Sequence, residues 1–279
     1  MNSRLRPRPT RLSRLFPALL AAVALTGCAV VSAPTASATP GGLTGNWQFQ
    51  TGSSITSPPT GGYLVGALQV QGSQVTGTFT GLAGPCTAPL DNITGSYDSS
   101  TGNLTFNAIG IQAQLLVPAD PTSLATGTLV AGGYLCQIIT APIPSVGVEI
   151  APLTGTYTGT LTESLTDINQ TTPVISTGTA ALTLTQSSMP NSSGAFPISG
   201  TLAFPANSGF GAYALSGTIA GEGITLQYLP VANPVAGPAI AFTGSTNPAA
   251  AQITVSNLDF SDAGAGNTNA VFTGTLTLQ

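Results

Sequence analysis

Leu153-Thr154-Gly155-Thr156-Tyr157-Thr158-Gly159-Thr160-Leu161-Thr162 alternates without a break: Leu, Gly, Tyr, Gly and Leu take the odd positions and threonine every even one. A period of two is the mark of a half-buried strand, because a helix of period 3.6 cannot keep such a pattern on one face. Threonine suits the water side, since its branched carbon fits the pleat while its hydroxyl stays solvated. The same alternation returns in Leu182–Thr185 and in Phe272–Leu278.

One pentad underlies these runs: an apolar residue, Thr or Ser, Gly, a small polar residue, then an apolar or aromatic one. It occurs at 43–47 (LTGNW), 75–79 (VTGTF), 93–97 (ITGSY), 125–129 (ATGTL), 153–157 (LTGTY), 198–202 (ISGTL), 215–219 (LSGTI) and 272–276 (FTGTL). Period two puts the glycine on the inner face, between two larger residues. A missing side chain there predicts a sharp bend or a close approach of the neighbouring backbone, as small barrels require.

The pentads at 43–47 and 153–157 each open a run of about eight strand-like segments. Between the runs, 141–152 contains Pro142, Pro144 and Pro152 and reads as a linker, because proline cannot donate to a central ladder. The expected architecture is all-β, with two tandem units at 43–140 and 153–279. Each is an up-and-down β-barrel or a sandwich of about eight strands.

Charge is distributed in an unusual way. All five cationic side chains, Arg4, Arg6, Arg8, Arg11 and Arg14, precede the apolar run 15–26, and residues 28–279 hold no Lys, Arg or His. Nine carboxylates remain there: Asp91, Asp98, Asp120, Glu149, Glu163, Asp167, Glu222, Asp259 and Asp262. Nucleic-acid binding is excluded on this basis, since phosphate backbones are held by Lys and Arg. Serine or cysteine relays lack a basic partner, and zinc sites lack histidine. No catalysis, cofactor or metal is expected.

The basic start followed by about a dozen apolar residues has the layout of a secretory signal, too short to span a bilayer. Its ending, Leu25-Thr26-Gly27-Cys28, resembles the lipobox of bacterial lipoproteins. The resemblance implies removal of residues 1–27 and acylation of Cys28, with Ala29 pointing to the outer membrane or cell surface. Residues 28–42 then form a flexible tether, with the membrane as partner through the Cys28 lipid. Ala36-Ser37-Ala38 offers the alternative of cleavage and release. Cys86 and Cys136 are left as an even pair, either a disulfide in an oxidising compartment or two buried thiols.

The segments GNWQFQTGSS (45–54), QVTGTFTGL (74–82) and NITGSYDSSTGN (92–103) resemble the opening of the avidin and streptavidin barrel, and more broadly lipocalin-like meanders. The resemblance covers about residues 43–103 and implies a barrel. It does not imply biotin: the ligand asparagine and tyrosine of that family fall at Phe49 and Phe79, and Trp47 is the sole tryptophan. A barrel interior could hold a small hydrophobic ligand against Trp47, Phe49, Phe79, Tyr97 and Phe106, or those rings could simply fill the core.

Of the carboxylates, only Glu163 with Asp167 and Asp259 with Asp262 lie close in sequence, and both pairs read as solvated residues near strand ends or loops. The Asp259–Asp262 stretch lacks the spacing of a calcium loop. The functional expectation is a lipid-anchored envelope protein with a structural or interaction role, and the alternative is a lipocalin-like carrier.

Overall fold

Among the residues described by the computed structural model, seventeen strands follow one another. Those residues are 43–56, 63–83, 86–87, 91–108, 111–118, 123–131, 142–167, 174–205, 211–228, 239–261 and 268–279. The first nine strands are β1 (Gly45–Thr51), β2 (Tyr63–Gln71), β3 (Gln74–Ala83), β4 (Cys86–Thr87), β5 (Asp91–Asp98), β6 (Asn103–Ala108), β7 (Ile111–Leu116), β8 (Ala125–Ala131) and β9 (Ile143–Ile150). The rest are β10 (Gly155–Asp167), β11 (Val174–Gln186), β12 (Phe196–Ala203), β13 (Ala212–Ala220), β14 (Gly223–Tyr228), β15 (Ala239–Thr246), β16 (Gln252–Ser261) and β17 (Thr268–Leu278).

Every neighbouring pair is antiparallel. The first sheet runs from β2 through β1, β9, β8, β7, β6 and β5 to β3, and the β2–β3 pairing closes it into an eight-stranded barrel. The two-residue β4 adds only to β3. β10 to β17 form a second closed barrel, sealed by the eleven-pair ladder between β10 and β17. The fold is therefore all-β with two tandem meander barrels, and of barrel and sandwich it is the barrel that forms. Closure leaves neither sheet with a long open edge.

The pentad glycines explain how strands this short curl into rings. Gly95 lies opposite Phe106, and a Cβ on it would collide with the Thr105 carbonyl and the Phe106 backbone. Gly217 has the same relation to Thr225 and Leu226, and Gly77, Gly127 and Gly200 likewise face a backbone carbonyl of the adjoining strand. Each glycine receives a large inward side chain from the next strand, so the wall bends where the pentad places it.

The stretch 141–152 does not behave as a linker. Ile143–Ile150 is β9, and it closes the first barrel by pairing with β1 on one side and β8 on the other. Pro144 is tolerated because of where it sits. Its carbonyl points towards β1 and accepts from Gly52 N–H at 2.7 Å, just beyond the last residue of β1, so the missing donor on that side costs the ladder nothing. The first barrel thus extends to Ile150 rather than ending at residue 140.

Candidate functional site

In the first barrel, β1 turns Trp47 and Phe49 inward, and they meet Phe79 from β3 and Phe106 from β6. Trp47 stacks on Phe49 with centroids 5.5 Å apart, Phe49 tilts against Phe106 at 5.3 Å, and Phe79 stacks on Phe106 at 6.1 Å. All four rings are buried, and the Trp47 indole N–H donates to the Leu43 carbonyl at 2.9 Å. Tyr97 packs against the same cluster but is only half-buried. The five residues expected to line a cavity are therefore brought together, and four of them occupy the barrel centre with one another.

Glu149 stands half-buried at the edge of this interior, on a strand that the sequence alone reads as a linker. It lies across the ladder from Trp47, on the same face. Burial pushes its carboxyl from the ordinary 4.5 up to about 7. The signal was present in the alternation of Val146, Val148 and Ile150 against Gly147 and Glu149.

The second barrel is organised around Tyr157, fully buried on β10. Its phenol donates to the Ala250 carbonyl at 2.8 Å, fixing a turn in which Ala250 takes a φ of 52°. At the end opposite the Gly221–Glu222 turn, Phe204, Tyr213, Tyr228, Phe260 and Phe272 form a chain of ring contacts with centroids between 5.3 and 5.9 Å. Tyr213 and Tyr228 are half-buried there, so the cluster grades from core to surface.

The outer face of β1 is as buried as its inner face. Asn46, Gln48 and Gln50 are 2%, 1% and 1% exposed. Asn46 exchanges two hydrogen bonds with the Gly221 backbone: its Nδ2 donates to the carbonyl at 2.9 Å and its Oδ1 accepts the N–H at 2.7 Å. Gln48 Oε1 accepts the Glu222 N–H at 3.2 Å. Gly221 has a φ of 55°, and a Cβ on it would strike Val65 of β2. Around this polar contact, Ala67, Val148 and Ile150 from the first barrel join the apolar cluster of the second. The two barrels thus meet along a seam in which the wall β9–β1–β2 receives the turn between β13 and β14, while Gly194, between β11 and β12, lies against Thr78 of β3.

The remaining expected residues do not assemble. Glu163 sits within β10 across from Phe272, and Asp259 lies within β16 opposite Ala241 and Val271, so both are strand residues rather than loop ones. Asp167 ends β10. Cys86 lies in β4; Cys28, Cys136 and Asp262 lie outside the described residues.

Fold and interior together define a tandem β-barrel protein whose conspicuous polar feature is an internal seam. No protein-family model matches the chain, and no curated protein matches it.

Proposed function

We propose that the chain is an exported, lipid-anchored protein of the cell envelope with a structural or interaction role and no catalysis. The observation that carries this reading is how the barrel interiors are occupied. Phe49, Phe79 and Phe106 in the first, and Tyr157, Phe242 and Leu161 in the second, are almost wholly buried. Barrels filled by their own side chains leave the outer walls and loops as working surface. The Leu25–Cys28 lipobox and the absence of Lys, Arg and His from 28–279 support the location. Two or three acyl chains on Cys28 would hold firmly, where a single chain gives only marginal retention. A Cys86–Cys136 disulfide belongs to the same exported reading.

Mass measurement of the mature N-terminus is the test. An acylated chain beginning at Cys28 is expected, and Cys28→Ser should release the protein or stall its processing. A mature chain beginning at Thr39 would replace anchoring by secretion. The processed protein should also resist trypsin even when unfolded, since no cleavable bond follows Arg14.

The ring cluster around Tyr213 and Tyr228 favours a second reading, a carrier of a small hydrophobic molecule, located in the second barrel rather than the first. Native mass spectrometry of protein from its source separates the two, because a carrier should retain a small molecule.

A further inference from the structure

Glu149 sits where the chain enters its first strand. A Cβ at residue 45 would come within 2.6 Å of Glu149 Oε1, so the carboxyl has its place only because that residue is glycine. Trp47 lies directly across the ladder, and its indole ties Leu43 back to the strand. Leu43, Gly45, Trp47 and Glu149 therefore make one cluster at the beginning of β1. The strand beneath Glu149 has little freedom to adjust, since Val148 and Ile150 on its other face are locked into the seam between the barrels.

We propose that Glu149 is a proton-operated latch on the first strand. Neutral, it lies over Gly45 and holds Leu43–Trp47 in the barrel; ionised, it swings out to water and loosens that end of β1.

Among the described residues, nothing around Glu149 offers a cation to compensate its ionised form. β1 and β8 carry no titratable side chain, and β2 carries only Tyr63, which faces outward. Tyr97 approaches the same end of the barrel from β5. Asp98, in the turn that follows, is held below the usual carboxylate range by the Ser100 and Thr101 hydroxyls. Glu222 packs on the opposite face of β1. None of these groups is a cation, and burial raises the Glu149 carboxyl from 4.5 to about 7. A folded-state value above the unfolded one means that the latch is fully engaged below the lower value and is lost as pH rises through the higher.

Trp47 is the sole tryptophan and reports on the latch directly. The mature protein is titrated from about pH 5 to about pH 9 while its emission is followed. A red shift with a midpoint near 7 is expected. Glu149→Gln should keep the acid-form emission throughout, and Gly45→Ala, which expels the carboxyl, should show the alkaline form throughout. A flat profile in the unmodified protein overturns the proposal, as does a transition that survives in Glu149→Gln. If Glu149→Gln does not fold, amide exchange of residues 43–47 in the unmodified protein decides. Exchange that outpaces the intrinsic pH effect above neutrality supports the latch, and exchange that merely follows it rejects the latch.

Discussion

The Tyr157 phenol shows what one polar atom can do inside an otherwise apolar barrel. It donates to the buried Ala250 carbonyl and stabilises a non-glycine residue at positive φ. Tyr157→Phe should cost about 1–3 kcal/mol in chemical denaturation, because the buried Ala250 carbonyl then loses the phenol that donates to it. Burial also lifts the phenol from 10.0 to about 12. The folded state holds that proton more tightly than the unfolded one, so the contribution is complete below 10.0 and lost as pH rises through about 12. Alkaline unfolding should accordingly lose its steep phase in Tyr157→Phe.

At the scale of the element, the pentad is a bending device, and the space around its glycines can be set against that around a glycine of the second barrel outside any pentad. Gly217 has no room for a methyl group, because the Thr225 carbonyl and the Leu226 backbone occupy the space. Gly178, in β11, has nothing within 4 Å of where its Cβ would be. Gly217→Ala should destabilise by about 1–3 kcal/mol, as overpacking does. Gly178→Ala should be neutral or stabilise by about 0.4–1 kcal/mol through the unfolded chain. Equal effects in thermal denaturation would sink the bending role. The sequence announced this device because alternation puts glycine and its large neighbours on one face. It concealed β9, because proline at residue 144 reads as a break until the neighbouring strand is seen to end beside it.

For the whole molecule, the seam decides whether two barrels behave as one body. Asn46 is its centre: removing the amide strands both the N–H and the carbonyl of Gly221 in a buried place. Asn46→Ala should therefore cost about 2–4 kcal/mol, at about 1–3 kcal/mol for each stranded group before any overlap. It should also split a single calorimetric transition into two, one for each barrel, whereas a single transition of unchanged shape would show that the seam does not couple them. The polar row Asn46, Gln48 and Gln50 is visible in the sequence, but its burial against the second barrel is not.

The sequence by itself determined that the chain folds into strands, which faces they bury and where they bend, because all of these follow from a period of two and from glycine's missing side chain. It also determined that residues 28–279 hold no cation. Only the tertiary structure decided that the strands close into two barrels with β9 completing the first, that Asn46 and Gln48 are buried, and that Glu149 faces inward beside Trp47. Those outcomes depend on residues as much as 175 positions apart meeting in space, and no local pattern encodes such a meeting.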